Sequence, residues 1–309
     1  MSTLHEHLEQ YISMRRALGY DLDKLEHLAG QFCTWLAAAG KETFTTADAV
    51  DWARLPADAD PRWWGMRLAA ARTFAKYLAA VGVDVQVPPA GILPAGPRRA
   101  APFIYSQADL DALLDACAQV FTRPLLAATM RTTIGLLAAT GIRPGEALRL
   151  TTGDLDTAAG VLLIRASKRK DRLVPVHPST MAALIAYRDL PARATTHPAT
   201  GGPLLVSSRG AGYQRATIEA HFARLAVAAG LRPRGSATPR LHSLRHTFAT
   251  AHMAAAYADG GDPQRTLTLL ATWLGHTSTA HTYWYLSAAP ELMALAATRL
   301  QQMQEEPRP

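Results

Sequence analysis

Residues 140–146 read Thr140-Gly141-Ile142-Arg143-Pro144-Gly145-Glu146. The run from Pro124 to Thr140 before it reads as a helix, which a glycine ends. Pro144 then begins another, because its locked φ suits the first helical position and its missing N–H is no loss there. Arg143 is left at the junction of two helices, with Glu146 one turn further on. A guanidinium at such a junction can project into a cleft, or it can simply satisfy the last carbonyls of the preceding helix. The neighbouring stretches are what weigh one reading against the other.

Downstream, Val161 to Ala166 and Arg172 to His177 are strand-like and are joined by Ser167-Lys168-Arg169-Lys170-Asp171. This predicts a β-hairpin with a basic tip. More helices are expected at about 178–190, 213–229, 242–257, 263–274 and 290–304, and Ser207 to Gly210 marks a loop. Within Leu241-His242-Ser243-Leu244-Arg245-His246, His242 and Arg245 are three apart and share one helix face. Leu274-Gly275-His276 follows, and Tyr285 comes nine residues after His276.

Upstream, the first eighty or so residues predict four helices. Thr3 with Glu6 makes a capping-box pattern before Leu4, Leu8, Tyr11 and Ile12, and Gly19 stops that run. Leu25, Leu28, Phe32 and Trp35 form a second stripe ending at Gly40. Thr45 and Thr46 start a short helix through Trp52. Asp60-Pro61 opens a long one carrying Trp64, Leu68, Phe74 and Leu78, closed by Gly82. Residues 84–102 then hold five prolines, with Arg98-Arg99 among them, which cannot continue a helix and fit a semi-rigid linker. The expected organisation is a helical unit over 1–87, a proline-rich linker over 88–102 and a second domain over 103–309.

Composition narrows the class of function. Lys plus Arg number 32 against 25 Asp plus Glu, and this excess suits a polyanionic partner whose counterions are released on binding. Two cysteines, Cys33 and Cys117, lie far apart with no metal-ligand spacing, and read as buried hydrophobes in a reducing compartment. No apolar run is long enough to span a membrane as a helix, and the start lacks a signal pattern. The expectation is a cytoplasmic protein with no membrane partner.

Arg143, the hairpin Lys168, H-x-x-R at His242 and Arg245, L-G-H ending at His276, and Tyr285 follow one another in an order that resembles the active-site signature of the tyrosine recombinases, or phage integrases. The resemblance spans Arg143 to Tyr285, and the helical N-terminal unit resembles that family's core-binding domain. It implies a mainly α protein of two domains, the second an α+β catalytic domain with a small antiparallel sheet. Thr282-Tyr283-Trp284-Tyr285-Leu286, with Arg16-Ala17-Leu18-Gly19-Tyr20, resembles integrases borne by transposons and insertion elements more than dimer-resolving recombinases.

These residue types suit the implied chemistry. Attack on a phosphodiester builds negative charge on its non-bridging oxygens, and arginine is permanently charged with a fork matched to phosphate. The resemblance makes Arg143 and Arg245 the clamp on the scissile phosphate, with His242 and His276 adding hydrogen bonds. It makes Tyr285 the nucleophile of a 3′-phosphotyrosyl link and Lys168 the acid for the departing 5′-oxygen. Glu146 resembles the family's acidic buttress and orients an arginine. A free tyrosine has a pKa near 10, so nearby cations and a base such as His242 must help remove its proton. The covalent link keeps the phosphodiester energy, so no nucleotide cofactor or metal is implied. The implied partners are double-stranded DNA held in a C-shaped clamp, a homo-tetramer on two duplexes, and accessory proteins.

Taken singly, each residue has a plainer reading. Lys168, Arg169 and Lys170 could be a solvated tip, His242 and His276 structural histidines, and Tyr285 part of an aromatic cluster with Tyr283 and Trp284. Tyr283 competes with Tyr285, and Lys170 with Lys168, since Ser167 stands where the family often has glycine. The segment from Arg245 to His276 is longer than usual, with Asp259-Gly260-Gly261-Asp262 as its loop. His242 and His246 have zinc-helix spacing, but Ser243 stands where that motif needs glutamate. A non-catalytic DNA-binding protein on the same fold is the other rival. The stripe Leu292, Leu295, Leu300 and Met303 could dock on a neighbouring protomer or on its own core.

Overall fold

The computed structural model describes residues 3–93, 102–167, 170–259 and 261–275. Its contacts divide the chain into two units, Met1–Arg99 and Ala100–Pro309.

The first unit is built from α1 (Leu4–Ala17), α2 (Asp23–Ala38), α3 (Thr46–Arg54) and α4 (Pro61–Ala80). The punctuation read from sequence is what starts and stops them. Thr3 and Glu6 close a reciprocal capping box on α1, and Thr45 and Asp48 do the same on α3. Asp60 accepts the Arg62 N–H ahead of Pro61 on α4. Each helix turns one apolar face inward, and Phe32 sits at the centre with the rings of Phe44 and Trp52 each 4.8 Å away. Arg67 is buried beside them, its guanidinium 3.9 Å over the Trp52 ring and donating to the Trp52 carbonyl. Val83, Val85, Val87 and Leu93 also pack on this core, and Arg72 donates to the carbonyls of Pro88 and Pro89.

The second unit runs α5 (Gln107–Val120), α6 (Pro124–Thr140), α7 (Pro144–Arg149), a 3₁₀ turn (Thr152–Asp154), β1 (Leu155–Asp156), β2 (Val161–Ser167) and β3 (Lys170–Pro175). It continues with α8 (Pro178–Arg188), α9 (Pro191–Ala194), α10 (Arg215–Ala228), α11 (Leu241–Ala258) and α12 (Pro263–Leu274). The three strands pair antiparallel in the order β1-β2-β3. The mainly α architecture with a small antiparallel sheet is therefore observed. Leu162, Ile164 and Val174 turn into a core shared with α5, α6 and α10, whereas Leu173 is 62% exposed. The last regular rung of the hairpin is Ile164 opposite Arg172; the register shifts before Ser167 opposite Lys170.

Both cysteines are buried as expected, and burial pushes the Cys33 thiol up to about 12 and the Cys117 thiol up to about 11. No described helix is long and apolar enough to cross a membrane.

Candidate active site

The ends of α6 and α12 come together here. Gly141 caps α6 and Gly275 caps α12, both with a positive φ in the left-handed region that glycine enters without a steric penalty. Space excludes a side chain at Gly141 and is tight at Gly275. A Cβ on Gly141 would lie 2.5 Å from Cδ1 of Phe248, and one on Gly275 would lie 3.0 Å from Nη1 of Arg172. The Trp273 indole N–H donates to the Thr140 carbonyl at 2.8 Å, tying the two helix ends directly.

Arg245 bridges the same two ends from α11. Its Nη1 donates to the Gly141 carbonyl at 2.9 Å and its Nη2 to the Leu274 carbonyl at 2.6 Å, and the residue is 1% exposed. Helix C-termini carry partial negative charge, so a buried guanidinium is well placed against them. Two carbonyls fix the plane of the fork. The start of α11 is held in turn by Tyr105, whose hydroxyl donates to the Arg240 carbonyl and whose N–H donates to the Thr247 hydroxyl. His242, one turn before Arg245, is exposed on the same helix. Its ring meets that of His246 edge to face at 5.0 Å.

Arg143 stands at the start of α7, with its side chain 25% exposed. Glu146, only 2% exposed, receives the Arg143 backbone N–H on Oε2 at 2.9 Å and Nη1 of the Arg143 side chain on Oε1 at 2.8 Å. The Arg143 Nη2 reaches towards the Gly275 carbonyl at 3.5 Å. Buttressing by Glu146 is thus the arrangement found.

Glu146 also holds a second arginine, outside the sequence motif. Arg172 of β3 donates Nη1 to Oε1 at 3.1 Å and Nη2 to Oε2 at 2.8 Å, and its Nε donates to the Trp273 carbonyl at 2.9 Å. Alternation along a strand could have found it. Arg172 has the parity of Val174 and Val176, both buried, while Leu173 has the solvent parity. A cation on the inward face of a hairpin needs an anion, and Glu146 supplies it.

Arg143 and Arg245 are therefore brought to one place with Glu146, and His242 lies on the helix of Arg245. Lys168, His276, Tyr285, Tyr283 and the helix expected from Pro290 lie outside the described residues. By sequence, His276 directly follows Gly275.

The sequence pattern of the phage integrase family matches residues 105–291, well over half of the chain. The chain belongs to the phage integrase family. The chain is 39% identical to the integrase/recombinase named y4rB of Sinorhizobium fredii, with 99% of each chain covered. It is 32% identical to tyrosine recombinase XerC of Rhizobium meliloti, over 74% of this chain and 67% of that protein. Among solved structures, the integrase of transposon Tn1549 in complex with transposon right end DNA matches with a TM-score of 0.67 at 14% identity, covering 98% of this chain and 100% of that one. The crystal structure of XerA recombinase matches with a TM-score of 0.51 at 24% identity, covering 99% of both. At these identities the structural matches speak for the fold that this chain shares with them.

Proposed function

We propose that this integrase-family protein cuts and rejoins double-stranded DNA at specific sites through a 3′-phosphotyrosyl intermediate on Tyr285. The observation that carries the reading is the convergence of Arg143 and Arg245 on the joined ends of α6 and α12, one residue before His276. In this mechanism the two guanidiniums receive the scissile phosphate. Glu146 fixes Arg143, and the Gly141 and Leu274 carbonyls fix Arg245, so little reorganisation is needed as charge builds on phosphorus. The Tyr285 oxygen bonds to phosphorus, the P–O5′ bond breaks, and Lys168 protonates the departing oxygen. His242 takes the tyrosine proton and His276 adds a hydrogen bond to the phosphate. Rejoining reverses these steps with a new 5′-hydroxyl, so the bond count is conserved and no energy source is consumed.

Residues 1–87 serve as the core-binding domain, 88–102 as the linker and 103–309 as the catalytic domain. The partners are DNA, three further copies of the chain on two duplexes, and accessory proteins. The names of y4rB, XerC and the transposon integrase support this reading.

The test is a denaturing gel after incubation with nicked duplexes tiling the DNA that flanks the gene. A covalent protein–DNA adduct is expected, absent in Tyr285→Phe and retained in Tyr283→Phe. Removing Arg143 or Arg245 as alanine variants should slow adduct formation by about 10²–10³-fold. DNA retention without any adduct would instead identify a non-catalytic binding protein, and an adduct lost only in Tyr283→Phe would move the nucleophile.

A further inference from the structure

We propose that Arg172 is a positioning residue for Arg143, acting through the carboxylate that the two arginines share; this rests on the function proposed above. Among the described residues, Arg143 and Arg172 together send four hydrogen bonds to the two oxygens of Glu146. Arg143 supplies one from its backbone and one from its side chain, and Arg172 supplies the other two as a fork. Arg143 bonds each oxygen once, and the carboxylate's terminal torsion is a soft one. A bidentate fork from Arg172 adds a second bond to each oxygen and narrows that freedom. Glu146 then presents Oε1 to the Arg143 side chain in one orientation.

Arg172 is itself immobilised. It projects from the inward face at the last regular rung of the hairpin, opposite Ile164, and is 12% exposed. Its Nε donates to the Trp273 carbonyl, and its guanidinium crowds the space that a side chain would enter on Gly275, the residue whose carbonyl the Arg143 Nη2 approaches. One side chain therefore references Arg143 to both the sheet and the end of α12. It does so without a place in the phosphate clamp.

A substrate in which the charge on the scissile phosphate has been removed separates positioning from general damage. In a methylphosphonate, a methyl group replaces one non-bridging oxygen, and the anion that a correctly placed Arg143 must neutralise is gone. Adduct formation is measured on nicked duplexes, first the one on which the unaltered protein reacts and then its methylphosphonate counterpart. Arg172→Ala is expected to lose about 10²-fold on the phosphate, as small misplacements of catalytic groups do. On the methylphosphonate it should fall by no more than about threefold, a pattern shared with Arg143→Ala and set by loss of the charge interaction. Equal losses on both substrates, or no loss on either, overturn the proposal. If Arg172→Ala does not fold by thermal melting, Arg172→Lys takes its place. It keeps the charge without the fork, so it should show a smaller loss with the same dependence on substrate. Absence of any adduct from the unaltered protein on every duplex would sink the parent reading, a result distinct from either outcome for Arg172.

Discussion

A carboxylate taken out of water is tolerated only when its charge and lone pairs are met, and Glu146 has both met by arginines. Removing the anion leaves two partly buried cations without it. Glu146→Ala should cost about 3–5 kcal/mol, the range for breaking a buried ion pair by deleting one partner. Chemical denaturation of the purified variant gives the number directly, and a loss below about 1 kcal/mol would show that the pair is solvated in solution. Gly141 is the other residue with little latitude. Alanine there faces both a positive φ and a Phe248 ring within 2.5 Å. We expect Gly141→Ala to lose about 2 kcal/mol or more, from backbone strain and overpacking together. Removing the ring should recover part of that loss, so Gly141→Ala should cost less in a Phe248→Ala background than in the unaltered protein. An equal cost in both backgrounds would show that the ring contributes nothing to it.

At the scale of elements, α10 carries a pH-sensitive contact. His221 lies edge-on to Phe121 with the ring centres 5.3 Å apart. Tyr213 is close by. Burial, with a smaller contribution from Arg224, lowers the His221 pKa below its ordinary value. The folded state therefore prefers the neutral ring, and the unfolded chain takes up the proton first as pH falls. Stability contributed by this group is complete above about pH 6.5 and declines as pH drops towards the folded pKa. His221→Phe should flatten the fall in melting temperature between about pH 7.5 and 5.5, relative to the unaltered protein. An identical slope in the two would remove His221 as a contributor.

Most elements were legible because their ends are marked by local chemistry. Thr3 with Glu6, Thr45 and Asp60 start helices where the structure has them through bonds made within three residues, and Pro124 starts α6 through its locked φ alone. What escaped notice depends on long-range partners. β1 is two residues long and exists only because Leu155 and Asp156 pair with Leu162 and Val161. α9 is a single turn, and the buried Arg193 in it donates to the carbonyls of Leu204 and Pro203. In the site, Arg143, Glu146, His242 and Arg245 could be picked out by their order along the chain. Arg172 could not, because Glu146 stands 26 residues away from it and the alternation that would have exposed it needs Leu173 assigned to solvent.

For the whole molecule, the apolar clusters of Met1–Arg99 and Ala100–Pro309 are separate sets of residues. Each unit should therefore melt as its own cooperative block. In calorimetry, Trp52→Ala, which empties a site at the heart of the first cluster, should cost about 3–5 kcal/mol and displace one transition while leaving the other in place. A common shift of both transitions would mean that the units fold as one. Net charge bears on the same scale. With 32 Lys plus Arg against 25 Asp plus Glu, affinity for duplex DNA should fall steeply and linearly on a log–log salt plot, with a slope of about −0.9 for each phosphate contacted. A flat plot would argue against phosphate contacts as the main source of binding.

The reliance of the site on the carbonyls that end α6 and α12 has a consequence for how this gene can vary. Backbone oxygens are present whatever side chain is encoded, so outward positions on α12 such as Leu269 can drift through point changes without disturbing Arg172 or Arg245. A change of length has no such refuge. One inserted residue turns the rest of the helix by about 100° and advances it by about 1.5 Å, carrying the Trp273 and Leu274 oxygens away from both guanidiniums at once. In a library of variants across Pro263–Leu274, single-codon insertions and deletions should be eliminated throughout, while substitutions at exposed positions persist.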